Sequence, residues 1–349
     1  MKYAKKIVAT LLLAVFMIGL GGFYQSKAFA AELNFAVKPV IPENQRDKNK
    51  TYFDLRVQPG QQQTIKLLLT NDTESNVIIE PKIYTAITNV NGVADYSMEV
   101  KDHDKTLKTP ITNIVKTVDE ITVPAKGQVE LPVEIKMPEE EFDGILLGGI
   151  SLQEKEKENS NKAKDKKNVS IENRYSYVVG IVLNENDNVV EPHLELNEVA
   201  PGQMNARNVI NANIQNTKPM LVNQLSIDAK VSRKGSSKVL YHAEKKGMQM
   251  APNSNFNYPI PLEGKPLEAG DYRATITAES KGKTWTWTKD FTIKANTAEE
   301  YNKSDVTVKK DYTWYYVVGG VLLLILIALF FYFLGRRKSK KREQEEIQE

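Results

Sequence analysis

The 349-residue chain has no cysteine. That excludes disulfides, thiol chemistry and cysteine-based metal sites at once, so any part exported from a cell must be held by its own apolar cores. Histidine is almost as scarce: His103, His193 and His242 lie far apart in unrelated contexts. No serine nucleophile elbow, phosphate-binding loop or HExxH pair is present. His103 stands in KDHDK, where Asp102 and Asp104 supply metal-ligand types, but a charged surface turn is the plainer expectation. Two hydrolytic carboxylates need only meet in space, and nothing here singles out such a pair. No enzyme, cofactor or metal site is therefore expected. An excess of one charge is missing too: with ten basic and four acidic residues at the two ends set aside, the remainder is nearly neutral. That argues against a nucleic-acid-binding surface.

Long apolar runs occur only at the ends. Trp314 to Leu334 is uncharged and is followed at once by Arg336, Arg337, Lys338, Lys340, Lys341 and Arg342. Twenty-one residues of helix span about 30 Å, the thickness of a bilayer's hydrocarbon core. The basic block suits a cytoplasmic flank, and Trp314, Tyr315 and Tyr316 suit the opposite interface. At the other end, Lys2, Lys5 and Lys6 precede an apolar stretch from Ile7, and Ala28-Phe29-Ala30 has the pattern of a signal-peptidase site. Residues 1–30 are thus expected to be a cleaved signal peptide, with an uncleaved anchor as the alternative. No LPxTG sequence precedes the C-terminal run, so the helix at 313–334 is expected to stay as a single-pass anchor, with 335–349 as a cytoplasmic tail.

Between the ends, strand periodicity prevails. Val129, Leu131, Val133, Ile135 and Met137 alternate with polar residues or proline. So do Phe256, Tyr258, Ile260 and Leu262, and again Tyr175, Tyr177, Val179, Ile181 and Leu183. A period of two places one face on a core and the other in solvent. Pro132 falls on the outward side, which favours an edge or a bulge. With PG, NG, AG and KG turn signals between short strands, the fold class is all-β: two tandem immunoglobulin-like β-sandwiches, at 31–190 and 191–295, plus the C-terminal transmembrane helix.

A weak repeat supports the two halves. Pro59-Gly60-Gln61 and Pro201-Gly202-Gln203 each precede an alternating strand, and a Gly-rich corner follows later in each half, at 142–152 and 269–272. Gly270-Asp271-Tyr272 has the form of a tyrosine corner, or of any hairpin with a half-buried tyrosine. The mixed-charge run 154–168 should be a solvated hairpin tip, and 296–312, polar and patternless, a stalk. Trp285, Trp287 and Phe291 share parity on one strand. Two readings stand: the tryptophans pack on the core, or Trp285 and Trp287 form a stacking platform for a ligand. The proline-flanked strands, if they lie on sheet edges, offer places for a partner strand.

The order of these features resembles the WxL-interacting proteins of Gram-positive bacteria. The resemblance rests on NFAVKPVIPENQ (34–45), TYFDLRVQPGQQQTIKLLLTN (51–71), FDGILLGGISL (142–152), APGQMNARNVINANIQNTKPMLV (200–222), MAPNSNFNYPIPL (250–262), LEAGDYRATI (267–276) and the basic-tailed helix. The chain itself has no W-x-L triplet. The resemblance implies a first domain of peptidoglycan-binding type and a second of host-binding type. Its expected partners are WxL-domain surface proteins, peptidoglycan and host extracellular proteins, with adhesion and tethering at the envelope as the role. An assembly chaperone that adds strands to exported WxL proteins is the alternative, and a wall hydrolase a more distant one.

Overall fold

The computed structural model describes residues 33–155, 175–308 and 313–345. The expected signal peptide and most of the mixed-charge hairpin tip lie outside them. The described chain holds two immunoglobulin-like β-sandwiches, two α-helices and a short 3-10 turn at Ile111–Asn113. In the first sandwich, one sheet has the order β1 (Ala36–Val40), β3 (Gln62–Asn71), β9 (Gly127–Lys136), β7 (Val115–Thr117). The facing sheet has the order β2 (Phe53–Arg56), β11 (Ser176–Asn184), β10 (Leu146–Glu154), β4 (Val77–Thr85), β8 (Ile121–Val123). All pairings are antiparallel except β2 with β11, which brings Phe53 beside Ile181 in the core.

β7 and β8 are consecutive pieces of one chain segment that leaves one sheet and joins the other, so neither sheet edge is covered along its whole length. The prolines sit where this crossing leaves room for them. Backbone bonds from β9 to β7 run through even-numbered residues, as Lys136 N–H to the Ile114 carbonyl shows. Pro132 is the first even position past Thr117, so its missing N–H costs no ladder bond, and Thr117 Oγ1 donates to its carbonyl at 2.9 Å. The same logic holds in β4. Even residues bond β10, odd residues face β8, and β8 stops opposite Ile79, leaving Pro81 on the uncovered side.

The expected Gly-rich corner is placed differently. The turn is at Asp143-Gly144, where Gly144 has φ +82°, while Gly148 and Gly149 lie inside β10. A Cβ at Gly148 would strike Ile111, and one at Gly149 would strike the ring of Tyr96. The glycines are thus notches on the two faces of a central strand, not a bend.

The second sandwich pairs β12 (Leu194–Met204), β13 (Arg207–Asn216) and β16 (Ser254–Pro261) against β15 (Val239–Met250), β14 (Val222–Arg233), β17 (Gly270–Ser280) and β18 (Lys283–Ile293). Two-residue hairpins at Asn205-Ala206 and Lys281-Gly282 have positive φ at both residues, the twist that matches paired strands. Pro201 and Gly202 are not the turn expected from the repeat. They lie inside β12, where Gly202 makes room for Asn211. Tyr272 is fully buried and its hydroxyl donates to the Glu268 carbonyl at 2.8 Å, a tyrosine corner in geometry as well as in sequence.

Residues 296–308 are no free stalk. α1 (Ala295–Ser304) packs on the second sandwich with Ala298 buried and Tyr301 half-buried against its core. Amide side chains hold it: Gln203 donates to Tyr301 O and Ser304 Oγ, Asn208 to Asn302, and Leu267 N–H to Asn302. The buried Asp305 carboxylate accepts from the N–H groups of Asn208, Thr307 and Val308 and from the Thr307 hydroxyl. Two inward apolar residues on a short polar helix leave no visible helical period. α2 (Thr313–Glu345) follows, with Trp314–Tyr332 long and apolar enough to cross a membrane and unburied against the rest of the chain.

Candidate binding surfaces

Trp285 and Trp287 lie on β18, an edge strand of the second sandwich. Both are half-buried against its core, together with Phe291, which stacks on Tyr272 at 5.5 Å. The alternate Thr284, Thr286 and Thr288 face solvent. Trp287 still shows one edge beside Leu196, Arg273 and Asp290 in a shallow open depression. The pair therefore serves packing first, and only a rim of each ring is presented outward.

Where the sandwiches meet, the contact is built from small and polar residues. The β5–β6 hairpin (Ile87–Thr88 and Ala94–Asp95) lies over the outer face of the first sandwich, its following residue Tyr96 seated in the Gly149 notch. Ala86 and Leu147 pack with Ala251, flanked by Leu221 and Val182. Thr88 Oγ1 meets Ser254 Oγ at 2.6 Å and accepts from Ala251 N–H, and Gln249 N–H donates to the Gly92 carbonyl at 2.8 Å. Ile145 N–H donates to the Pro219 carbonyl, which lies where a side chain on Gly144 would stand.

Asp104 is the electrostatic part of this joint. Its carboxylate accepts from Gln215 at 2.8 and 3.0 Å, from Asn255 at 2.5 Å, and from the amide and hydroxyl of Thr106. Burial works against its charge, but the bonds from Asn255, Thr106 and Gln215 outweigh that and hold its pKa below the ordinary 3.8. Sequence reasoning had Asp104 only as a neighbour of His103. Its partners across the joint, Gln215 and Asn255, sit more than a hundred residues away, and no local pattern announces them. Among the described residues, no group of three or more His, Asp or Glu is placed to hold a metal. Beside the joint, Leu107, Lys108, Phe142, Leu146, Lys218 and Pro219 line a cleft of about 410 Å³.

A second groove, of about 370 Å³, opens in the first sandwich where β4 runs past the end of β8. Ile83, Met98 and Val118 line it together with the polar and charged Lys82, Glu99, His103, Lys116 and Asp119.

Comparison with known proteins gives these surfaces a context. Residues 35–154 match the family model described as WxL Interacting Protein, peptidoglycan binding domain, and residues 166–303 match WxL Interacting Protein, host binding domain. The chain belongs to the WxL-interacting protein family. Both matched families are binding domains, and with the apolar α2 they make this WxL-interacting protein a membrane-anchored binding protein. The host-binding match begins ahead of β11, although β11 completes the first sandwich by pairing with β10 and β2. No curated protein matches the chain significantly.

Among solved structures, the chain is similar to the E. coli chaperone DraB (11% identity, 74% of this chain and 98% of that one, TM-score 0.26). It is also similar to a chain of the Salmonella enterica SafA pilin–SafB chaperone complex (13%, 75% and 99%, 0.28). A third is a chain of the CsuC–CsuE pre-assembly complex of Acinetobacter baumannii (9%, 73% and 98%, 0.30).

Proposed function

We propose that this WxL-interacting protein is a non-enzymatic tether. α2 crosses the cell membrane once with the tail inside, and the two sandwiches outside hold peptidoglycan and WxL proteins, with host extracellular components as further ligands. The observation that carries this reading is the succession of two binding-domain matches directly followed by one apolar helix. Anchoring confines binding to a thin layer, which raises the effective concentration of partners already there and lets weak domains act together. Trp285 and Trp287 are proposed to contribute their exposed rims to a ligand contact on the second sandwich.

The test compares cells displaying the full chain with cells secreting a form ended before α2. Retention of a WxL protein and of purified peptidoglycan fragments should fall when the anchor is lost. Equal retention by both would count against tethering, and release of soluble fragments from purified wall would overturn the non-enzymatic part. The sandwiches should be tested joined, because the Asp104 and Pro219 contacts would be cut by separating them.

A further inference from the structure

Several exposed charges on the two sandwiches meet a partner of opposite sign: Lys66 with Glu130, Lys126 with Glu74, Arg233 with Glu268 and Arg273 with Asp290. The groove in the first sandwich gathers charges that do not. Lys82 comes from β4, Glu99 from the chain after the β5–β6 hairpin, Lys116 from β7, and Asp119 from the crossing between β7 and β8. All four are exposed, and among the described residues none of them forms an ion pair. Lys116 Nζ donates to the Thr112 carbonyl at 2.8 Å, a neutral acceptor that leaves its charge unmatched.

A charge run along one segment is ordinary solvated surface. Charges brought together by a strand, a hairpin exit and a crossing are a product of the fold. They surround an opening of about 370 Å³, near the lower end of the roughly 300–1,000 Å³ usual for ligand sites. Between them stand the half-buried ring of Tyr84 and the exposed Met98 and Val118.

This mixture selects the occupant. An apolar segment would take the charges out of water with nothing to pair them. A neutral sugar chain would meet neither sign. A short peptide bearing carboxylates and an ammonium complements both, and methyl-sized side chains suit the small apolar contacts. Peptidoglycan contains such a peptide: its N-acetylated glycan strand is neutral, whereas its stem peptides carry carboxylates, the ammonium of a diamino acid and alanine methyls. The groove is built entirely from residues 81–119, inside the 35–154 stretch that matches the peptidoglycan-binding family model.

We propose that this groove binds the charged stem peptide of peptidoglycan, with Lys82 and Lys116 toward its carboxylates and Glu99 and Asp119 toward its ammonium. This rests on the tethering reading, which takes peptidoglycan as a ligand, and adds which part of the polymer is held and where.

The test uses the full chain in lipid nanodiscs. The probes are the pentapeptide N-acetyl-L-alanyl-γ-D-glutamyl-L-lysyl-D-alanyl-D-alanine, the same peptide with its lysine acetylated and its carboxylates amidated, a chitin tetrasaccharide, and purified peptidoglycan. The charged peptide should bind, more weakly as salt rises, and compete with peptidoglycan, while the blocked peptide and the tetrasaccharide should not. Lys82→Glu with Lys116→Glu, and separately Glu99→Lys with Asp119→Lys, should each weaken peptide binding about tenfold. Lys245→Glu, at an exposed lysine on the second sandwich, is the control and should change nothing. All these positions are exposed, so thermal denaturation should match that of the unaltered chain.

Peptide binding undiminished in both double variants, or equal competition by the blocked peptide or the tetrasaccharide, would overturn the assignment and leave tethering intact. Variants that keep the peptide but lose a WxL protein would overturn it too, by giving the groove to a protein partner. If the unaltered chain retains no purified peptidoglycan at all, the tethering reading fails for that ligand and this proposal falls with it.

Discussion

The first sandwich ends its sheets by letting one chain segment change sides, whereas the second keeps its sheets separate and seals the seam between them. In the first, β7 and β8 each cover part of an edge, prolines stand at the uncovered positions, and Ile83 is left half-exposed. In the second, long strands run nearly the whole sheet, Lys283 and Lys289 bridge from β18 to Glu191 and Asn197 near β12, and α1 closes one end through amide and carboxylate bonds. The difference shows that a shared architecture fixes the core but not the accessibility of its backbone. That property is decided by where short strands stop.

The contrast can be broken most forcefully at Asp305. Asp305→Ala leaves the Asn208 and Thr307 amides without their charged acceptor, and a loss of roughly 1.5–3 kcal/mol is expected. Hydrogen exchange should show α1 and the β12–β13 turn opening while the first sandwich stays protected. Uniform loosening of both sandwiches would mean that they do not respond as separate units.

Gly144→Ala comes next. It places a side chain at φ +82° against the Pro219 carbonyl, with about 1–2 kcal/mol of backbone strain before any clash. The joint should loosen, read as a rise in the distance between single labels on the two sandwiches, which the cysteine-free chain makes simple to introduce. An unchanged distance distribution would show that the joint is held elsewhere.

Tyr272→Phe should cost about 1 kcal/mol by removing the bond to the Glu268 carbonyl, with the ring and its Phe291 stack left in place. Thermal denaturation measures it, and no loss would mean the corner is maintained by packing alone.

The smallest effect concerns acid. Asp104 has a lowered pKa in the folded chain, so its contribution to the joint is complete above the ordinary value of 3.8 and disappears as pH falls through the lowered one. The inter-sandwich distance should hold from neutral pH down to the ordinary carboxylate range and increase only below it. Loosening near neutrality would assign the joint's pH response to another group.

How much of this was legible in the sequence follows from how each feature is encoded. Strands with a period of two were readable: Leu131, Val133, Ile135 and Met137 are buried as their alternation implied, and so are Phe256, Tyr258, Ile260 and Leu262. Tyr272 was readable as one of two options, because Gly-Asp-Tyr is a local signature. The apolar run that became α2 was readable from length alone. The Pro-Gly repeat misled, since Pro59-Gly60 is a turn and Pro201-Gly202 is strand, and the dipeptide carries no record of what packs above it. α1 was missed because asparagine, glutamine and aspartate hold it, and polar clamps have no period. The joint and the open β4 edge depend on partners distant in sequence and on where β8 stops, neither of which alternation reveals.

The clamping of α1 also sets a reach. The chain is fixed to the second sandwich as far as Val308, and α2 begins at Thr313, five residue steps later. Fully extended, those steps cover roughly 17 Å, less than the width of a single domain. With α2 in a bilayer, the second sandwich is moored close to the membrane and cannot be paid out toward distant targets. Its ligands must descend to the membrane or arrive on longer molecules. The first sandwich, joined to it through Asp104 and Pro219, shares that mooring.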